Sequence, residues 1–147
     1  MLVSRRSAVV LVVAVACAAF AINAFAGGSS HAPAGGVPVT VNERDFHVTI
    51  PRTLPAGAVD LKVKNHGPDQ HELIVVRATS AGALPLRTDG LTVDEDAVAK
   101  REVGALEPGA ADSLRDLHVV LRPGRYVLFC NMSGHFMAGM HATVVVK

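Results

Sequence analysis

The segment Cys130-Asn131-Met132-Ser133-Gly134-His135-Phe136-Met137-Ala138-Gly139-Met140-His141 carries a thiol, two imidazoles and three thioethers. Each of these groups can bind a soft or borderline metal ion. Apolar, strand-like runs flank the segment, Tyr126 to Cys130 before it and Ala142 to Val146 after it. A loop of this length between two strands can fold back on itself. Cys130, His135 and Met140 recur with four residues between neighbours, so their side chains can converge.

The rest of the composition narrows the setting. Half of the 147 residues are apolar, which suits one packed domain. A net charge of +1 gives no reason to expect nucleic acid or an acidic polymer as a partner. Aromatic residues are sparse and Trp is absent, so Val, Leu, Ile and Ala must build the core, which favours strands. The only cysteines are Cys17, in an N-terminal apolar run, and Cys130. Removing the N-terminus leaves one thiol, and a lone thiol in an exported protein is a nucleophile, a dimer bridge or a metal ligand.

Arg5 and Arg6 precede an uncharged run from Ala8 to Ala26 that ends in Ala24-Phe25-Ala26. Basic start, apolar middle and small-residue end describe a secretory signal cleaved after Ala26. The same run, residues 8–26, is long enough to stay as a membrane tether with the arginines inside. Cys17 as a lipidation site fits less well, because the apolar run continues past it. Each reading exports the remainder of the chain, to the periplasm or another extracytoplasmic space. The chain therefore divides into residues 1–26, signal peptide or membrane anchor; residues 27–36, a small-residue flexible linker; and residues 37–147, the domain that carries the Cys130 segment.

From Val37 onward the pattern has period two, as in half-buried strands. Val39 and Val41 alternate with Thr40; Phe46, Val48 and Ile50 with His47 and Thr49; Val59, Leu61 and Val63 with charged residues. Asn65 to Asp69 is a turn cluster. The strand after it puts His71, Leu73 and Val75 on one face, so His71 is expected at the rim of the core. His47 and His118 are expected on outward strand positions, and His66 in a turn. Thr92-Val93-Asp94-Glu95 is a capping box, predicting a helix from about Val93 to Arg101 with Thr92 as its cap, lying against the sheet. The expected fold is all-β, an antiparallel Greek-key β-sandwich with this one short helical excursion.

Two His and one Cys in a trigonal set with a weak axial Met form the blue-copper arrangement, which the Cys130 segment supplies except for one His. His71 alone would be an unremarkable strand histidine. However, Val63-Lys64-Asn65-His66-Gly67 leading to His71-Glu72-Leu73, Leu121-Arg122-Pro123-Gly124-Arg125-Tyr126, and the Cys-x4-His-x4-Met loop together resemble the cupredoxins, the small blue type 1 copper proteins. The resemblance runs from Val37 to Lys147, and its loop spacing is more similar to that of rusticyanin than to those of plastocyanin or azurin. It implies one type 1 copper ion per chain, with His71, Cys130 and His135 as strong ligands and Met140 as the weak axial one. Glu72 departs from the pattern, standing where plastocyanin and azurin carry Asn; it is expected to brace the Cys130 loop.

The function this implies is one-electron transfer between redox partners by an exported protein. All ligands stay in place and no open position is needed, so the chain is not expected to be an enzyme on its own. An unidentified redox protein would dock on an apolar patch around His135, Phe136 and Met137, and the chain would be a monomer. Met132 and His141 are expected as surroundings of the site. The alternative is a copper carrier or chaperone, for which His135-x-Met137 and Met137-x-x-Met140 supply soft ligands. A cysteine nucleophile lacks any sign of an oxyanion hole, and a two-copper oxidase centre would need two bridging thiolates.

Overall fold

The computed structural model describes residues 35–147. The expected signal or anchor over residues 1–26, and the linker as far as residue 34, lie outside them. Nine strands follow one another along the described chain: β1 (Val37–Arg44), β2 (His47–Thr49), β3 (Thr53–Leu54), β4 (Gly57–Asn65), β5 (His71–Arg77), β6 (Glu102–Gly109), β7 (Leu114–Leu121), β8 (Gly124–Phe129) and β9 (His141–Val146). They make two sheets, ordered β2-β1-β4-β7 and β3-β9-β8-β5-β6.

The sandwich matches expectation, but its sheets are mixed rather than wholly antiparallel. β1 runs parallel to β4, with Val39 opposite Leu61 and Val41 opposite Val63, and β3 runs parallel to β9. The sequence between them explains this. Pro51 and Pro55 interrupt the chain on either side of β3, which joins the second sheet, so β4 returns beside β1 from a crossover and not from a hairpin.

Period-two alternation sends Val39, Val41, Val59, Leu61 and Val63 inward from the first sheet to meet Leu73, Val75, Tyr126, Leu128 and Val144 from the second. Buried branched side chains at this density are what hold two sheets together. β5 and β8 are buried on both faces, unlike β4, whose second face carries Asp60, Lys62 and Lys64. Their outer residues Ile74, Val76, Val127 and Phe129 pack under Leu84, Val93 and Val98 of the segment between β5 and β6, and under Phe136.

That segment holds the helix, shorter and later than predicted. α1 spans Glu95–Val98, followed by a 3₁₀ turn over Ala99–Arg101, and its cap is Asp94, whose side chain accepts from the Ala97 amide at 3.2 Å. Thr92 is not the cap because Val93 is claimed elsewhere. Val93 is fully buried, bridges Leu86, and gives its amide to Asn131 Oδ1 at 2.6 Å, so helical backbone begins only beyond it.

Strand register sets two ends. His71 pairs with Gly109 and Phe129 with His141 at one; Arg77 pairs with Tyr126, Gly57 with Leu121 and Gly124 with Val146 at the other. Tyr126 locks the second end, its hydroxyl donating to the Arg122 carbonyl at 3.0 Å and accepting from the Arg122 amide at 3.1 Å.

Candidate metal centre

His71 is the first residue of β5 and fully buried, because the strand continues as Leu73 and Val75 into the core. Cys130 follows the last residue of β8 and is also fully buried. The loop after it folds onto its own start. The Cys130 amide donates to the Met140 carbonyl at 3.1 Å, the Met140 amide to the His135 carbonyl at 3.0 Å, and the His135 amide to the Met132 carbonyl at 2.9 Å. Gly134 and Gly139 take the positive φ values, +83° and +102°, that let so short a loop turn back. Backbone bonds thus tie the three regularly spaced residues, Cys130, His135 and Met140, to one another.

The donor atoms of His71, Cys130 and His135 all lie within 4.8 Å of one another. His71 Nδ1 is 3.3 Å from His135 Nδ1, and Cys130 Sγ is 3.5 Å from the same nitrogen. Met140, fully buried, closes the loop beside them. The other ring nitrogen of His71, Nε2, lies 2.9 Å from Asp45 Oδ1. An ionised carboxylate only accepts, so Nε2 carries the hydrogen and Nδ1 presents its lone pair to the cluster. Burial holds His71 below the ordinary imidazole range despite the opposing pull of Asp45, which favours the neutral, ligating form. Burial likewise pushes the Cys130 thiol up to about 11, against the amides of Met132 and Glu72, which favour the thiolate. Two imidazole nitrogens and a sulfur facing one point, in a buried corner supplied with amide donors for a thiolate, form a donor set that fits copper.

A supporting layer surrounds these groups. Gly67 makes room for Asp45, since a Cβ there would collide with the carboxylate and crowd His71 Nε2. Asn65 fixes Gly67 by accepting its amide at 2.9 Å while donating to the carbonyls of Asp69, Gly109 and Ala110. Glu72 accepts the Asn131 amide at 2.8 Å, so it does brace the Cys130 loop. Burial raises its pKa and that amide lowers it. Asn131 in turn bonds both the amide and the carbonyl of Val93 and reaches Glu95 Oε1 at 2.7 Å, joining the loop to the helical excursion. Glu43, fully buried in β1, pairs with Arg115 of β7, which also donates to the Glu107 carbonyl of the opposite sheet.

The expected surroundings sort themselves as follows. Phe136 does not line a surface patch: it is buried against Phe129, with ring centroids 5.5 Å apart, because its place on the loop puts it over the outer face of the second sheet. Met137 is exposed and His135 half-buried. Phe46, read from alternation as an inward strand residue, instead sits in the turn between β1 and β2, 39% exposed, with its ring edge-on to His135 at 5.2 Å. Asp45, Phe46 and Glu43 were missed as members of this region. The Gly67-to-His71 segment was in view, but nothing local points to its partner across the turn. His66 bonds Asn42 rather than the cluster, and His47 and His118 are exposed. His141 opens β9 with its ring 5.2 Å from Phe136.

Solved structures share this architecture. Auracyanin from Roseiflexus castenholzii superposes with a TM-score of 0.59 at 17% identity, over 77% of this chain and 99% of its own. The chain has the cupredoxin fold. Auracyanin A, a "blue" copper protein from the green thermophilic photosynthetic bacterium Chloroflexus aurantiacus, matches at 0.57 and 18% identity over 77% and 100% of the two chains. Rusticyanin from Thiobacillus ferrooxidans shares the cupredoxin fold at 0.54 and 16% identity, over 77% and 79%. No protein-family model and no curated protein sequence matches this chain.

Proposed function

We propose that the chain is an exported type 1 copper protein that carries single electrons between redox partners, with His71, Cys130 and His135 as strong ligands and Met140 as the axial one. The observation that carries this reading is the convergence of two imidazoles and a thiol within 4.8 Å at one end of a rigid sandwich. Copper bound there would supply reversible one-electron chemistry. The protein's own residues hold the site still. Asp45 sets the tautomer and ring orientation of His71, Glu72 and Asn131 fix the chain leaving Cys130, and three loop hydrogen bonds fix His135 relative to Met140. Burial of His71, Cys130 and Met140 keeps water away, leaving the half-buried His135 beside exposed Met137 and Phe46 as the path outward.

Full burial of Cys130 and Met140 disfavours the copper-delivery alternative, which needs sulfur ligands a recipient can reach. A partner would dock around His135, Met137 and Phe46, with Phe136 beneath and not within the contact. Among the described residues no helix is long and apolar enough to cross a membrane. The copper-loaded protein should absorb strongly in the visible through its Cu(II)–thiolate bond and bleach and recover over reduction and reoxidation. A colourless protein that surrenders Cu(I) readily would favour delivery.

A further inference from the structure

The end of the sandwich opposite His71 is basic. Arg77 closes β5, Lys100 and Arg101 lie in the 3₁₀ turn before β6, and Arg122 and Arg125 flank the turn between β7 and β8. These five cations line two adjoining clefts that share Arg77 and Arg101, with Glu102 as the one carboxylate among the lining residues. Among the described residues none of the five is in an ion pair. Arg77 is held in place, donating to the Pro123 carbonyl at 3.0 Å and lying over the Tyr126 ring. Four carboxylates stand at the other end: Asp45 on His71, Glu72 and Glu95 on Asn131, and Glu107 near Glu72. Residues 35–147 carry 12 Lys and Arg against 13 Asp and Glu, a net charge of −1, so the five clustered cations leave the rest of the domain acidic.

We propose that this basic end is a docking surface for an anionic lipid bilayer, which seats the domain with its His135 end turned away from the membrane. Two features single out a bilayer. First, the described chain begins here: Val37 pairs with Val59, and Gly57, two residues before Val59, pairs with Leu121. The apolar run 8–26 precedes this point by residues 27–36, which at full extension reach at most ~35 Å. A run retained in a membrane is joined through this linker to the basic end of the domain. Second, the cations are spread over three elements and two open clefts instead of converging on one point. That arrangement suits many headgroups better than a single phosphate or sulfate. Carboxylates at the far end are repelled by the same surface, so attraction and repulsion favour one orientation.

The test uses the full chain with phosphatidylcholine vesicles, with and without phosphatidylglycerol, and reads backbone amide hydrogen exchange. Exchange in residues 77–80, 99–103 and 122–126 should slow several-fold on the anionic vesicles alone. The 131–139 loop should be unaffected, and high salt should restore the free rates. Each cation at an anionic surface contributes roughly a fivefold gain in partitioning, so Lys100→Glu/Arg122→Glu/Arg125→Glu should weaken the lipid-dependent protection by ~100-fold or more. All three side chains are exposed, and circular dichroism checks that the variant folds; if it does not, Arg125→Glu alone and the salt series decide. Equal exchange on both lipid compositions would overturn the proposal, as would protection of the 131–139 loop instead. So would inorganic phosphate reproducing the protection without vesicles, which would make the clefts a small-anion site.

Discussion

Replacing Asp45 separates two contributions to the candidate copper site. Its carboxylate accepts the Nε2 hydrogen of buried His71 at 2.9 Å and is itself largely shielded from water, so its charge is felt at Nδ1 through the ring. Asp45→Asn keeps an acceptor oxygen but removes the charge; Asp45→Ala removes both. A hydrogen bond to a charged group contributes about 1 kcal/mol more than a neutral one. Negative charge behind the imidazole stabilises Cu(II) more than Cu(I), so Asp45→Asn should raise the reduction potential. At 59 mV per tenfold change in equilibrium constant, about 1 kcal/mol corresponds to ~40 mV. Asp45→Ala should also lower copper affinity by about 10–100-fold, because His71 then loses its orienting partner. A redox titration with copper-binding competition reads both quantities. An unchanged potential in both variants would refute the argument that Asp45 acts through His71.

Three further substitutions test the supporting layer. Asn131→Ala leaves the buried amide and carbonyl of Val93 without partners, and should lower unfolding free energy by about 2–4 kcal/mol in a urea titration with unchanged slope; a loss below about 0.5 kcal/mol would deny that Asn131 pins the excursion. Glu72→Gln retains an acceptor for the Asn131 amide while removing a charge near Cys130, so it too should raise the potential; an unchanged potential and affinity would leave Glu72 as a brace only. Glu43 gives a pH signature, since burial, outweighing Arg115, lifts its carboxyl from 4.5 to about 7. Between those values the folded state binds more protons than the unfolded one. Stability from this group therefore falls as pH rises through that window, by on the order of 3 kcal/mol, and is level above it. Glu43→Gln should flatten that slope relative to the parent, and parallel pH–stability curves would contradict it.

The Cys130 loop was legible because its ligands are close in sequence and chemically distinctive. Strand positions from Val59 to Val63 and from Leu117 to Leu121 were legible because one wet and one dry face impose strict alternation. His71 was not identifiable from its surroundings, only from the resemblance of the segments around it. The misreadings share one cause, contacts made by chain distant in sequence. Phe46 continues an apparent alternation, yet the chain turns at Asp45-Phe46 so that the carboxylate can reach His71 and the ring can reach His135. Thr92 completes a local capping box, but Asn131, 38 positions beyond Val93, takes the amide that the helix would have used. Phe136 sits next to His135 in sequence but faces the outer sheet cluster. The parallel pairing of β1 with β4 is likewise invisible to period two, which reports faces and not neighbours.

The most direct test of the copper assignment is the visible spectrum of the copper-loaded protein compared with Cys130→Ser and Met140→Leu. Three converging donors with a weak fourth predict strong colour in the parent, loss of it in Cys130→Ser, and retention with a shifted band in Met140→Leu. Strong colour surviving in Cys130→Ser would contradict the assignment.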